Sequence, residues 1–250
     1  MMSYFQEAFL QVYEPMMMDK GFHRKRSVFH RIVGNKIVQK LSYCMFSGQR
    51  EYTIQFSFEP ICCGDEISMF MDDARLGILL GNETMAVWDA NKLGTLQESL
   101  ELCQELLFPL FDDIDNYGSY LYNMNQVYIK RGRGRVFTEG IPVLYDVVYK
   151  TNLAIGNYEM AKKSREALIT QNINSFRAKW GTETHPFKER QVLFEKMRDD
   201  FYRINKAIDE NDISYIESYI LENEKRSLNS YIRNFYGKKT FEKYQLTGEL

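Results

Sequence analysis

Residues 51–60 read EYTIQFSFEP, and this stretch decides the fold class. Apolar and polar side chains alternate along it, and the apolar set is Tyr52, Ile54, Phe56 and Phe58. Side chains of a strand point alternately to its two faces, so the pattern predicts a strand with one face on the core. The polar set is expected to face away from the core and consists of Thr53, Gln55 and Ser57. Pro60 cannot donate to a sheet and predicts the end of the strand.

A hairpin is predicted before this strand. Gly34 and Asn35 separate two β-compatible runs, 22–33 and 36–46, and both tolerate the positive φ of a two-residue hairpin turn. A further strand is expected between Glu66 and Leu80. Because the strands follow one another with short connections, the pattern predicts an antiparallel meander.

Helices are predicted on both sides of the meander. Apolar residues recur at helical spacing from Met2 to Met17, and Gly21 stands where a left-handed helix end is expected. After the meander, Thr95 and Glu98 have the spacing of a capping box, and Pro109 is expected to kink or divide the helix that follows. Later helices are expected over 117–129, 142–154, 158–174, 186–209 and 213–236, and the last residues are expected to fray. The predicted fold class is α+β, with an antiparallel β-meander of about four strands covered by helices and an all-helical C-terminal part.

The length and the charge distribution indicate two parts. A chain of 250 residues reaches the size at which a single core stops growing. Residues 1–118 hold 10 Lys and Arg against 17 Asp and Glu, whereas residues 119–250 hold 22 against 17. The glycine-rich basic stretch 130–140 is predicted to be an exposed loop. We therefore expect an α+β domain over 1–118 and a helical domain or extension over 119–250, whose helices have no sheet to cover.

Composition predicts a folded protein of the cytoplasm. Hydrophobic residues make up 44% of the chain and charged residues 26%, which is typical of globular proteins and excludes a disordered chain. No run approaches the roughly 18 apolar residues of a membrane span, and the N-terminus lacks the basic start of a secretory leader. The four cysteines show no C-x-x-C spacing, which favours reduced thiols. We expect a cytoplasmic location and no membrane partner.

Several short motifs of the N-terminal part occur together in one order. They are Gly21-Phe22 at the helix end, the basic run Arg24-Lys25-Arg26, the hairpin, the strand over 52–58, Arg75-Leu76-Gly77, and Trp88 before a Leu-rich helix. In this order they resemble the bacterial family called "domain of unknown function 4304", over about residues 1–115. The usual member has a doubled tryptophan where this chain has Val87-Trp88. The resemblance implies a small antiparallel sheet with helices, and it implies no reaction.

Four residues are candidates for binding an anion or an acidic partner: Arg24, Arg31, Arg75 and Trp88. Arginine forks bind carboxylate and phosphate groups, and an indole ring offers an apolar platform. Alternate residues of a strand face opposite sides, so only part of the set can line one site. In the alternative interpretation, which we favour, the basic run from His23 only protects an exposed edge strand from pairing.

No catalytic residue, metal ligand or cofactor site is predicted. The three histidines have no metal-site spacing, and the acidic stretch 112–118 is not followed by the glutamate that a calcium loop needs. The chain has neither a glycine-rich phosphate loop nor a G-x-S-x-G nucleophile turn. A catalytic Cys62 or Cys63 with a distant histidine stays formally open.

The predicted function is binding. We expect a non-catalytic binding or protein-interaction module with a protein or peptide partner, because aromatic residues of the helical half can form a groove. These residues include Tyr149, Tyr202, Tyr215 and Phe235. The alternative is an enzyme that acts on a small anionic substrate through an arginine-lined site. The acidic N-terminal half argues against a nucleic-acid partner.

Overall fold

The structure is a computed structural model that describes residues 3–46, 50–64, 74–81, 86–92, 94–130, 142–165 and 202–247. It has an α+β fold in which an antiparallel sheet is followed by helices, as predicted. None of the helices in these ranges is long and apolar enough to cross a lipid bilayer. Of the stretch 130–140, predicted to be an exposed loop, Lys130 ends a helix and residues 131–140 lie outside the described residues.

Six strands form the sheet within the described ranges: β1 (His23–Lys25), β2 (Val28–Val33), β3 (Ile37–Met45), β4 (Glu51–Pro60), β5 (Ala74–Arg75) and β6 (Trp88–Asp89). They pair antiparallel in the order β1-β2-β3-β4, and the short strands β5 and β6 both pair with β4. The single strand expected over 22–33 is divided, because Arg26 adopts a positive φ of 57° in a turn. The strand expected between Glu66 and Leu80 is β5, and residues 66–73 lie outside the described ranges.

The hairpin between β2 and β3 lies where the sequence predicts it, but its loop has three residues, 34–36, because Val33 pairs with Ile37. Gly34 and Asn35 both have positive φ, at 58° and 52°, and the Lys36 N–H donates to the Val33 carbonyl at 2.9 Å across them. The tip of the turn lies against the junction between two later helices, where a Cβ added at Gly34 would collide with the backbone carbonyl of Asp115. Gly34 is therefore required both for its backbone conformation and for a close approach of two chain segments.

Gly34→Ala is expected to lower the free energy of unfolding by about 2 to 4 kcal/mol, since the left-handed conformation costs an alanine about 1 to 2 kcal/mol and the backbone collision adds to it. Gly21→Ala is the matched control, because Gly21 also has a positive φ but nothing lies within 4 Å of its added Cβ. Urea denaturation should show a clearly larger loss for Gly34→Ala. Equal losses would mean that the contact with Asp115 is absent in solution.

Nine helices are described: α1 (Tyr4–Asp19), α2 (Gly94–Leu102), α3 (Phe108–Asp113), α4 (Tyr117–Lys130), α5 (Pro142–Ala154), α6 over 158–165, α7 over 202–210, α8 (Ile213–Tyr236) and α9 (Lys238–Thr247). The predicted limits of α8 are confirmed, and it begins at the capping residue Asp212, whose carboxylate accepts from the backbone N–H of Tyr215. The last residues are expected to fray, and residues 248–250 lie outside the described residues. Helix α9 packs back on α8, and Gln245 Nε2 donates to Asn229 Oδ1 at 2.8 Å.

Pro109 divides its helix, as predicted. The regular helix α2 gives way to a wider π-helical turn, Cys103–Leu107, and α3 begins directly after it. A proline lacks the N–H and crowds the preceding turn, so a wider turn relieves the conflict. The predicted capping box was wrong, because α2 already begins at Gly94. The Thr95 hydroxyl instead donates to the carbonyl oxygen of Lys92 at 2.7 Å.

One face of the sheet, the first face, packs under α1 and α3. Phe9 of α1 contacts Phe29 of β2 with ring centroids 6.0 Å apart, and Phe111 of α3 contacts Phe58 at 5.2 Å. The predicted apolar set of β4 is buried there, which confirms Tyr52, Ile54, Phe56 and Phe58 as core residues. This face carries most of the aromatic core of the N-terminal part.

The opposite, second face of the sheet is also covered. Thr53 and Ser57 of β4 are as buried as their apolar neighbours, so the prediction that they face away from the core was wrong. Later parts of the chain lie against this face: the Thr53 hydroxyl donates to the Ala86 carbonyl at 2.9 Å, and Tyr231 of α8 contacts β2. The expectation that the late helices have no sheet to cover was therefore also wrong. That residues 1–118 fold alone stays a prediction.

Candidate functional site

A row of polar side chains crosses the second face of the sheet. The strand register pairs His23 of β1 with His30 of β2, His30 with Lys40 of β3, and Lys40 with Ser57 of β4. Directly opposed residues of neighbouring strands point to the same face. We call these four residues, His23, His30, Lys40 and Ser57, the polar row.

Three members of the polar row are almost fully enclosed. His30 and Ser57 are each 1% exposed, and Lys40 is not exposed at all. The Lys40 ammonium forms an ion pair with Glu59. This residue lies two positions after Ser57 in β4 and therefore on the same face. The Ser57 hydroxyl donates to the same carboxylate, with 3.3 Å between Oγ and Oε1. A buried ammonium is tolerated only with such compensation, because its desolvation costs several kcal/mol.

Helix α8 covers the polar row at His30. Tyr231 Oη and His30 Nδ1 are hydrogen-bonded at 2.9 Å, and the Phe235 ring lies 4.1 Å from the imidazole ring between centroids. The ammonium of Lys25, on β1, donates to the backbone carbonyl of Asn234. The end of α8 is thus held on the sheet by contacts with β1 and β2.

The protonation states of the enclosed groups follow from their surroundings. Burial, together with the nearby bases His23, Lys25 and Lys40, lowers the pKa of His30 from 6.5 to about 3. Burial also raises the pKa of Tyr231. At neutral pH both groups are therefore uncharged, and the hydrogen bond between them is one between neutral partners.

A second polar cluster surrounds the tight turn Ile61–Cys63 that follows β4. Lys36 Nζ and the Tyr117 hydroxyl both donate to Glu224 Oε1 of α8, each at 2.7 Å. Lys150 Nζ of α5 donates to the Cys63 carbonyl at 2.9 Å. The turn is thereby tied to both α5 and α8. Next to it, the enclosed amide nitrogen of Asn223 has no hydrogen-bond partner among the described residues.

Two of the buried thiols, those of Cys62 and Cys103, are in environments that do not activate them. Cys62 Sγ lies 3.8 Å from the Thr151 hydroxyl, which cannot act as a base. Burial raises the pKa of Cys103 to about 12, so this thiol carries no thiolate at neutral pH. All four cysteines are free thiols, as expected. Within the described ranges, no group of three or more His, Cys, Asp and Glu side chains is placed to hold a metal ion.

Two of the predicted binding residues are engaged within the chain. Arg24 forms an ion pair with Glu14 of α1, with 2.6 Å between Nε and Oε1. Arg31 lies in the first face, where its guanidinium donates to Gln39 Oε1 at 2.8 Å and to the Phe111 carbonyl at 3.2 Å. Burial lowers the pKa of Arg31.

The other two predicted residues lie near β4. Trp88 stacks on Tyr52 with ring centroids 5.7 Å apart, on the first face. Arg75 pairs with Gln55, which puts it on the second face, and its guanidinium lies 4.9 Å from the Phe46 ring centroid. The sheet therefore separates Arg75 from the other three residues. Anion binding by any one of them stays a prediction.

The basic run that holds Arg24 belongs to β1, which pairs with β2 on one side only within the described part of the chain. Its charged residues therefore stand at an edge of the sheet, where charge discourages pairing with another chain. This placement agrees with the alternative interpretation of the basic run.

Sequence reasoning missed Lys40, Glu59 and Tyr231. One signal pointed to them: helix α8 carries Asn223, Ser227 and Ser230 at the three- and four-residue spacing of its buried stripe. A buried stripe with polar members indicates a polar surface opposite it, because buried polar groups are nearly always hydrogen-bonded.

Comparison with known proteins identifies no relative. No protein-family model, no curated protein and no solved structure matches the chain. The resemblance to the "domain of unknown function 4304" family accordingly stays a prediction.

Proposed function

We propose that this protein is a non-catalytic interaction module of the cytoplasm, which binds a protein or peptide partner through its helical half. The observation that carries the proposal is the closure of the polar row. His30 is bonded to Tyr231, and Lys40 is paired with Glu59. The first pair lies under α8, and Lys40 of the second pair is fully buried.

Such closure fits a binding protein better than an enzyme. A general base must itself lie within reach of the substrate and must have a pKa near the working pH. The pKa of His30 is lowered to about 3, and the ring is enclosed by aromatic side chains of α8. The arginines expected to bind an anionic substrate, Arg24 and Arg31, already have carboxylate partners in Glu14 and Asp112.

The helical half supplies apolar surface for a partner. Among the described residues of this part, six large apolar side chains are at least two-fifths exposed: Tyr122, Ile155, Tyr202, Tyr215, Leu221 and Leu246. Two aromatic residues expected in a binding groove, Tyr149 and Phe235, are instead core residues. The exposed members Tyr202 and Tyr215 support the groove interpretation. Leu221, 66% exposed on the outer side of α8, is the most informative position to test.

The test compares two glutamine variants at adjacent exposed positions of α8. Leu221→Gln removes apolar surface, whereas Glu222→Gln changes only a surface charge next to it. Tagged wild type and both variants are used to capture proteins from an extract of the native cell, followed by quantitative mass spectrometry. A partner should be captured equally by wild type and Glu222→Gln, and about 10-fold less by Leu221→Gln, since burying a leucine contributes about 1.5 to 3 kcal/mol.

Equal capture of every protein by the three forms, or no enrichment over an empty tag, would contradict the proposal for this surface. Thermal melting of the purified variants serves as the control for folding. Exposed substitutions of this kind change stability by about 0.5 kcal/mol or less, so the three melting curves should coincide closely.

A further inference from the structure

The C-terminal end of α8 packs around one histidine of β2, His30. The His30 ring is surrounded by three aromatic rings of α8, with centroid distances of 5.6 Å to Tyr231, 4.1 Å to Phe235 and 5.6 Å to Tyr236. The Tyr231 hydroxyl bonds the ring nitrogen and is itself hydrogen-bonded to Tyr236. The contact between α8 and β2 is therefore built around a neutral imidazole.

The charged groups that face this ring share one sign. His23 and Lys25 of β1 and Lys40 of β3 all oppose a proton on His30. The groups that α8 contributes are the phenols Tyr231 and Tyr236, whose pKa values are raised by burial and which carry no negative charge. Glu59, which lies beside the polar row on the same face, is paired with Lys40.

A proton on His30 would thus create a buried cation beside two ammonium groups, and both its burial and its neighbours oppose it. A protonated His30 ring can be stabilised only if water reaches it, and this requires the end of α8 to move off the sheet. The undocked helix leaves an ordinary exposed histidine, which takes up a proton readily.

We propose that the C-terminal part of α8, residues 227–236, is an acid-released strap: it stays docked on the second face while His30 is neutral and leaves that face when His30 takes up a proton. Release uncovers a face that carries Lys25, His30 and Lys40, so the newly exposed surface is cationic. The device goes beyond the proposed function, since it regulates access to the sheet and does not involve the outer side of α8.

Docking of α8 and proton binding by His30 are linked, and this linkage fixes the direction in which pH changes the docking. A histidine whose pKa is lowered from 6.5 to about 3 by docking binds its proton more tightly in the undocked state. Docking is therefore fully favoured above pH 6.5 and weakens steadily as the pH falls from 6.5 toward 3. The undocked fraction should rise about 25-fold as the pH falls from 7 to 5, because the histidine becomes protonated over this range in the undocked state and stays neutral in the docked state.

Hydrogen–deuterium exchange of the intact chain tests this. Exchange of residues 227–236 is measured at pH 7 and pH 5, and each rate is divided by the intrinsic rate at that pH. Protection in this segment should fall about 25-fold in wild type, while α1 serves as an internal reference that should not change. His30→Gln keeps a neutral group that can bond Tyr231 and should abolish the response. His23→Gln, at the exposed neighbour, should retain it.

A wild-type segment whose protection is the same at both pH values would overturn the proposal, and so would a response that persists in His30→Gln or disappears in His23→Gln. If His30→Gln does not fold, the NMR signal of the His30 ring in wild type takes its place. Its chemical shift should stay that of a neutral ring down to pH 5, since the docked form dominates. A ring that titrates near pH 6.5 in the docked protein would show that docking does not exclude the proton.

Discussion

Glu59→Gln is expected to lower the free energy of unfolding by about 3 kcal/mol, because it removes a carboxylate that pairs with the buried Lys40 ammonium. Lys40 is completely enclosed, so water cannot replace the lost carboxylate. The reverse change should cost less. Lys40→Met leaves Glu59, whose side chain is 25% exposed and can be hydrated.

Urea denaturation followed by circular dichroism measures both changes, with the slope against urea unchanged. Glu222→Gln is the matched control, since it removes the same charge from an exposed pair with Arg226 and should cost about 0.5 kcal/mol or less. The double variant Lys40→Met with Glu59→Gln should recover much of the loss, because no charge is left buried. A Glu59→Gln protein as stable as Glu222→Gln would show that Lys40 is hydrated in solution.

Phe56→Ala is expected to lower the free energy of unfolding by about 3 to 5 kcal/mol, the usual cost of removing a buried phenylalanine. Phe56 has no exposed surface and lies in the middle of β4, between its cross-strand partners Leu41 of β3 and Ala74 of β5. Neighbours on three strands cannot collapse together to fill the cavity, so the loss should lie well above 1 kcal/mol.

The same denaturation experiment tests Phe56→Ala, with Tyr4→Ala as its control. Tyr4 is also aromatic and is 72% exposed, so its removal should change stability by about 0.5 kcal/mol or less. A denaturation midpoint for Phe56→Ala that matches wild type would mean that β4 does not pack on the first face in solution.

The candidate site was accessible from the sequence only in part. The alternation along β2 and β3 already puts His30 and Lys40 each on one face of its own strand. That they oppose each other depends on the hairpin register, which the Gly34-Asn35 turn sets. The contact of His30 with Tyr231 joins residues 201 positions apart, and no local pattern predicts it.

The predicted binding residues do not lie together in one site, again because distant parts of the chain decide their contacts. Arg24, Arg31 and Arg75 have the residue type that binds anions, but residue type does not reveal which partners the folded chain supplies. Arg24 finds Glu14 because α1 crosses the edge of the sheet, and Arg31 finds the end of α3. Both contacts depend on helix placement over the first face.

Local pattern alone was sufficient for the strand over 51–60, the hairpin turn and the limits of α8, because backbone period, positive φ and capping act within a few residues. Whether a strand face is covered is decided by chain far away in sequence. Thr53 and Ser57 look like surface residues in β4, and they are buried because later parts of the chain cover the second face. Ala86 contacts Thr53, and α8 docks on β2 more than 150 residues after β4. A period of two tells which side chains share a face, and only the packing of distant helices determines whether that face meets water or protein.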